Sequence, residues 1–253
     1  MQLDSWAVFC NDALQLNASR QLAEQLVVPL LDEESVVLAP QAFFLSYRQG
    51  CLMLLDRQTL RKGGLAVDIE PRPGEQHSYP APKKDLLAQA IGRKTRSVID
   101  ATTGWAQDSL AIFRMGYELQ CIERSPLMAA LISDGFQRLA QKDWMLNRQL
   151  QPPRLISGNA IQLLADLAVA PDCIYLDPMF PAKPKKSALP KKAMLILRDI
   201  LGDDLDRAEL FAAAWQASAK RVVVKSPDYA EPIAGKPAET HQGKLLRYDV
   251  YIK

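Results

Sequence analysis

The stretch SVIDATTGWAQDSLAIF (97–113) decides the fold. Residues 97–100 read as a strand that ends on Asp100, a turn centres on Gly104, and helical apolar spacing begins at Asp108. A chain that turns this sharply needs a residue without a Cβ, which accounts for Gly104. The same grain continues outward. Strands are predicted at 97–100, 118–123, 154–157, 173–177, 221–225 and 247–252. Helices are predicted at 85–91, 108–115, 126–141, 160–167, 188–200 and 207–219. Apolar strands alternating with helices imply an α/β fold whose mostly parallel sheet is covered on both faces. Such sheets hold ligands at the carboxyl ends of their strands, so functional residues are sought just after each strand.

Upstream the grain differs. Short β-like runs at 6–9, 36–39, 43–47, 51–55 and 65–69 surround one helical stretch, 18–26, with turn signals at Gly50 and Gly63-Gly64. The segment EPRPGEQHSYPAPKK (70–84) carries Pro71, Pro73, Pro80, Pro82 and Gly74 and reads as a linker or ordered loop. The expected organisation is a small α+β region over 1–82 followed by a catalytic domain over 83–253.

Composition bounds the function. With 253 residues and 48% hydrophobic content the chain can bury a core without disulfide or metal staples. The formal charge of 31 basic minus 29 acidic residues, +2, at first argues against a nucleic-acid partner. That total hides a local excess: AKPKKSALPKK (182–192) holds Lys183, Lys185, Lys186, Lys191 and Lys192, while acids gather elsewhere, as in Asp203, Asp204 and Asp206. A second basic stretch, Lys83, Lys84, Arg93, Lys94 and Arg96, flanks the first sheet strand. Cys10, Cys121 and Cys173 lie in apolar runs and are expected as buried thiols; Cys51 completes the four. His77 and His241 have no ligand-spaced partner, so no metal is expected. The chain starts without a signal-peptide pattern and has no apolar run long enough for a membrane span, so a cytoplasmic location is expected.

The strand ends carry the chemistry. The first loop departs from the dinucleotide pattern GxGxxG, reading Thr102, Gly104 and Gln107 at its three positions. A pyrophosphate favours backbone N–H groups without a nearby anion. Here Asp100 and Asp108 flank the loop, an arrangement that repels a pyrophosphate and attracts a cation such as S-adenosylmethionine, with its ammonium and sulfonium. Asp108 is alternatively a first-turn or capping acid of the helix. Glu123, followed by Arg124, ends the second strand, where an acid can accept both ribose hydroxyls of an adenosine. Asn159 and Ala160 follow the third strand, fitted to an adenine edge or, for Asn159, to a helix cap.

CIYLDPMFP (173–181) is the sharpest signal. It resembles the Asp/Asn-Pro-Pro-aromatic motif of methyltransferases that modify exocyclic amines. Asp177 and the Pro178 carbonyl are suited to accept the two N–H groups of an amine and orient its nitrogen. Phe180 offers a stacking face. Lys183, Lys185 and Lys186 are suited to track phosphates. Lys225, at the end of the fifth strand, either meets an RNA phosphate or pairs with Asp177, and Tyr229 nearby either stacks or packs.

Taken together, DATTGWAQD (100–108), IERSP (122–126), YLDPMFP (175–181), KKSALPKK (185–192) and KRVVVKSPDYA (220–230) resemble the ribosomal small-subunit methyltransferase J family. The resemblance covers residues 85 to the C-terminus well and the N-terminal part more loosely. It implies a class I S-adenosylmethionine-dependent methyltransferase fold, Rossmann-like with a seven-stranded sheet. It also implies methylation of a guanosine exocyclic amine in small-subunit (16S) ribosomal RNA, with RNA or the small subunit as partner. Cofactor contacts are implied at Gln107, Asp108, Glu123, Arg124, Asn159, Ala160 and Asp177. The family loop usually reads DATAGLGRD, so Ala106 stands for its second glycine and Gln107 for its arginine; serines are common where Asn159 and Ala160 stand. Competing readings are an amino-methyltransferase of another RNA or of DNA, a nicotinamide-dependent oxidoreductase, and a non-catalytic RNA-binding module. The missing glycines and the flanking acids disfavour the oxidoreductase, and the intact Asp177 motif disfavours the binding module.

Overall fold

A computed structural model describes residues 6–71, 79–180 and 206–253. The expected helix over 188–200 and the candidate residues Lys183, Lys185 and Lys186 lie outside them. The chain forms two compact units that interleave in sequence: residues 1–69 with 126–152, and residues 70–125 with 153–253. The division expected at residue 82 is linear. The largest segment it assigns differently from the units is 126–152.

The first unit holds a four-stranded sheet in the order β2-β1-β3-β4, from β1 (Trp6–Phe9), β2 (Leu30–Leu31), β3 (Phe43–Arg48) and β4 (Cys51–Asp56). β1 runs parallel to β2 and β3, and β3 and β4 form an antiparallel hairpin. The hairpin turn is Gln49-Gly50, both at positive φ (50° and 74°), the mirror-image turn whose twist matches paired strands. Helix α1 (Leu16–Leu26) precedes β2. The core gathers Ala7, Phe9, Val36, Phe44 and Leu55.

Two expected strands of this unit differ. Residues 36–39 lie largely within a short helix, α2 (Ser35–Leu38). Asp32 and Ser35 decide this: Asp32 Oδ1 accepts from the Ser35 N–H at 2.8 Å, and the Asp32 N–H donates to Ser35 Oγ at 2.9 Å. That reciprocal turn overrides the β preference of the two valines. Over 65–69 only Leu65 pairs, with Leu54. The alternation there buries Val67 and Ile69 without a ladder. Val67 lies against helix α5 (Pro126–Ala140) at Gly135, where a Cβ would meet the Val67 side chain at 2.7 Å. Arg138 Nη2 donates to the Val67 carbonyl at 2.9 Å.

The second unit holds the expected mostly parallel seven-stranded sheet. Its strands are β5 (Ser97–Asp100), β6 (Glu118–Glu123), β7 (Arg154–Ser157), β8 (Cys173–Leu176), β9 (Arg221–Pro227), β10 (Glu239–Gln242) and β11 (Leu246–Ile252). The order is β10-β11-β9-β8-β5-β6-β7. β11 is antiparallel to both neighbours, and the other pairings are parallel. β10 went unpredicted because its residues, Glu-Thr-His-Gln, are polar and it is an exposed edge strand. All four residues of β8 are fully buried, as a central parallel strand requires. Further helices of the chain are α3 (Leu86–Ile91), α4 (Gln107–Arg114), α6 (Asp143–Leu146), α7 (Ala160–Ala165) and α8 (Arg207–Ala217). Leu210 and Ala214 of α8 and Leu164 of α7 pack on Ile99, Ile174, Val222 and Val224. Cys10, Cys121 and Cys173 are buried, and all four cysteines are free thiols. No described helix is long and apolar enough to cross a membrane.

β5 pairs with β6 on one side and β8 on the other. The strand order reverses there, and the crevice above the carboxyl ends at such a point is the ligand site of open α/β sheets.

Candidate active site

Two adjoining clefts open at that crevice. The first is lined by Ala101, Thr102, Gly104, Ile122, Glu123, Arg124, Asn159, Ala160, Ile161, Asp177, Met179, Asp206 and Leu210. The second collects Asp100, Trp105, Gln107, Asp108, Tyr175, Pro178, Phe180, Lys225 and Tyr229. Thr102, Gly104, Met179 and Asp177 belong to both. The described candidate residues are thus brought to one edge of one sheet. The basic residues Arg93, Lys94 and Arg96 are not among them: they precede β5, at the opposite edge.

The β5–α4 loop is built by hydrogen bonds to acids. Asp100, 1% exposed, accepts from the Thr102 N–H at 3.0 Å and from Ser109 Oγ at 2.5 Å. Gly104 (φ 52°) donates its N–H to Glu123 Oε2 at 2.9 Å, and Ser125 donates to Glu123 Oε1 at 2.8 Å. Glu123 therefore fixes the loop as well as facing the first cleft. Ala106, where the family loop has glycine, sits at φ 57° and ψ 14°. That left-handed conformation costs a non-glycine residue roughly 1–2 kcal/mol.

Of the two readings of Asn159 the structure displays the helix cap. Its Oδ1 accepts from the Ile161 N–H at 2.9 Å as the cap of α7, and the residue lines the first cleft. Asp108 is a first-turn residue of α4 but not its cap. Its Oδ2 accepts from the Tyr175 hydroxyl at 2.7 Å and from Lys225 Nζ at 2.7 Å. The cation that Asp108 holds is thus one of the chain's own. Lys225 also reaches Asp177 Oδ2 at 2.8 Å, so of its two expected roles the structure displays the pairing. The Asp177 N–H donates to Thr102 Oγ1 at 2.6 Å, tying the β8 loop to the β5 loop.

The electrostatics follow from burial. The Asp100 carboxyl is pushed up to about 7, chiefly by burial, with the Asp108 and Asp177 charges adding; the Ser109 and Thr102 hydrogen bonds oppose the rise. Burial works against the Lys225 ammonium, but the carboxylates of Asp177 and Asp108 outweigh it and hold it charged. Burial, then the charges of Asp108 and Asp177, keeps the Tyr175 phenol protonated. Asp177 is the open member of the cluster, its side chain 38% exposed against 9% for Asp108. It is the carboxylate that a substrate can reach.

Phe180 lies deeper than its expected stacking role suggests. It is 9% exposed, packs in the core, and carries the Arg207 guanidinium 5.6 Å from its ring centre. Trp105 and Tyr229 also line the second cleft. The motif reading missed Thr102, Trp105, Tyr175 and Met179. Thr102 and Trp105 stand inside the quoted loop, and Tyr175 precedes Asp177 by two on the buried strand. Their roles depend on which strand lies beside which.

The first cleft suits an adenosine. Ile122, Ile161 and Leu210 supply apolar walls, the Glu123 carboxylate can accept hydroxyls, and Arg124 and Asn159 border the rim. The second cleft, with acids and aromatic rings, suits the charged end of a sulfonium cofactor and a base.

Comparisons agree with this reading. The family model described as "Putative SAM-dependent methyltransferase" matches residues 30–253. The chain is 36% identical over 221 residues to a protein of Shewanella sediminis named ribosomal RNA small subunit methyltransferase J, covering 84% of each. It is 41% identical over 197 residues to a protein of the same name from Thioalkalivibrio sulfidiphilus, covering 75% of this chain and 76% of that one. A crystal structure of an SAM-dependent methyltransferase from Neisseria gonorrhoeae superposes with a TM-score of 0.71 at 27% identity, over 98% of this chain and 95% of that one. With a family model matching most of its length and relatives at 36% and 41% identity, the chain belongs to the SAM-dependent methyltransferases, in the ribosomal RNA small subunit methyltransferase J family.

Proposed function

We propose that the chain transfers a methyl group to the exocyclic amine of a guanosine in small-subunit (16S) ribosomal RNA. The observation that carries the proposal is the meeting of the two clefts at Asp177. A cofactor on one side and a base on the other share the one carboxylate of the buried cluster that is open to substrate. The relatives' names supply the class of RNA, and the resemblance of YLDPMFP to the amine-methylating motif supplies the amine.

S-adenosylmethionine supplies an electrophilic methyl group on its sulfonium. In this reading Glu123 accepts the ribose hydroxyls, with Arg124, Asn159 and Ala160 at the base, and Asp100, Gly104, Gln107 and Asp108 shape the loop beneath. Asp177 and the Pro178 carbonyl accept the two amine N–H groups. This turns the nitrogen lone pair toward the methyl group, and catalysis is mainly positioning. The surplus proton leaves to water or Asp177. Phe180, packed in the core, supports the loop from behind and borders the base. Lys183, Lys185 and Lys186 track phosphates. This activity places the protein with ribosomal RNA in the cytoplasm.

The test is transfer of label from S-adenosylmethionine to naked 16S rRNA, small subunits, duplex DNA or no acceptor. The expected result is labelled ribosomal RNA that yields N2-methylguanosine on digestion. Label in DNA alone, in another base, or in no acceptor overturns the proposal.

A further inference from the structure

We propose that Lys225 is a positioning residue for methyl transfer: it keeps Asp177 an ionised, fixed acceptor for the substrate amine and does not contact RNA phosphate. The proposal rests on the amine-methylation reading above and deepens it.

Register places Lys225. β8 and β9 are parallel with Leu176 opposite Val224, so the next residues, Asp177 and Lys225, emerge side by side at the carboxyl edge. The ammonium then spans two elements, 2.8 Å from Asp177 Oδ2 beyond β8 and 2.7 Å from Asp108 Oδ2 on α4. The Tyr175 hydroxyl donates to the same Asp108 oxygen. The Lys225 side chain is 22% exposed, and both of its carboxylate contacts are at hydrogen-bond distance. A phosphate would have to displace acids from it. A surface lysine serving an RNA backbone has no such enclosure.

The chemistry needs this arrangement. The groups facing Lys225 are Asp108 from α4, Asp177 and Tyr175 from β8 and its loop, and Tyr248, its register partner on β11; Asp100 is buried close by. Three carboxylates sharing a partly desolvated site repel one another; Asp100, the most buried, is already pushed up to about 7, and without the Lys225 charge at 2.8 Å the same repulsion favours a proton on Asp177. A protonated Asp177 offers the amine nitrogen a donor and engages the lone pair that must attack. The Lys225 charge prevents this, and its short contact restrains the carboxylate. Because both acids outweigh burial at the ammonium, Lys225 itself carries no proton away from the reaction.

The experiment compares wild type, Lys225→Met and Lys225→Arg in steady-state transfer to the RNA acceptor across pH and salt. Cofactor affinity and the thermal midpoint are measured in parallel. Lys225→Met is expected to lower kcat at least about tenfold, with KM for RNA and its salt dependence little changed, and to move the acid limb of the rate profile to higher pH. Lys225→Arg is expected to restore the wild-type acid limb while leaving kcat reduced; if the methionine variant fails to fold, this result decides alone. A raised KM for RNA with a shallower salt slope and unchanged kcat, in either variant, makes Lys225 a phosphate contact and overturns the proposal. An unchanged rate profile and kcat in Lys225→Met overturns it as well. A wild type that labels no RNA is instead the failure of the functional reading.

Discussion

The two edges of the seven-stranded sheet use the same side chains to opposite ends. At the amino edge Asp172, just before β8, accepts from the Arg96 N–H at 2.8 Å and pairs with Lys220 at 2.7 Å. The Lys220 hydrogen bond, then the Arg96 N–H, holds its carboxyl below the usual range. At the carboxyl edge Asp100, ending the adjacent strand, is pushed up to about 7 by burial. Basic side chains at the amino edge finish the fold: Arg221 donates to the Ala90 carbonyl, and Lys253 to the carbonyls of Gln216 and Ser218. At the carboxyl edge Lys225 is enclosed by acids, while Arg247 there donates to the carbonyls of Pro227 and Ala230. The amino edge spends its charges on holding strands and helix ends, and the carboxyl edge, besides doing so at Arg247 and Glu123, keeps a cluster of partly buried charges at the crevice. The clefts open at the carboxyl edge, where sheets of this kind bind ligands.

Breaking the carboxyl edge should have the largest effect. Asp177→Ala is expected to lower methyl transfer by at least about a hundredfold, since the amine loses its orienting acceptor, with folding retained. Single-turnover transfer beside a thermal melt checks this. Near wild-type transfer would remove Asp177 from its role.

Asp100 sharpens the contrast through pH. Its folded-state value lies above the ordinary carboxylate value of 3.8. Its contribution to stability is therefore fully present below about pH 4 and is lost as pH rises through about 7, a penalty of about 4 kcal/mol. Asp100→Asn is expected to flatten this fall. Urea unfolding of both proteins between pH 4 and 8 measures it, and parallel curves would refute the assignment.

Glu123→Ala is expected to weaken S-adenosylmethionine binding about tenfold to a hundredfold, from lost charged hydrogen bonds and a loosened Gly104 amide. Calorimetric titration reads the change. The smallest effect belongs to the amino edge. Asp172→Asn should cost about 1 kcal/mol or less, because its Lys220 partner is exposed, and should leave transfer untouched. The contribution of Asp172 has the opposite sign to that of Asp100: present above the ordinary carboxylate range, lost as pH falls below it. Denaturant midpoints at pH 3 and 7 test this.

Much of this edge was legible in residue order. Glu123 and Asp177 end predicted strands, Gly104 and Asn159 follow them, and each stands in the crevice. Residues 36–39 were not legible, because two valines favour a strand until the Asp32–Ser35 turn starts a helix. The polar edge strand β10 lacks the apolar alternation that reveals a strand. Helix 126–140 was legible as a helix. Its packing in the unit with the N-terminal sheet was not, because Gly135 and Val67 are far apart in sequence.

By itself the sequence determined the alternating strands and helices, the turn at Gly104 and the acids that end the strands. These follow from local periodicity and from the backbone freedom of single residues, which act over a few positions. Tertiary structure alone decided that Lys225 stands between Asp108 and Asp177, that Thr102 holds the Asp177 amide, and that Asp100 is buried while Asp172 is not. Those outcomes depend on strand order and on the dielectric surroundings each strand end receives. Both are set only when β5, β8 and β9 lie side by side.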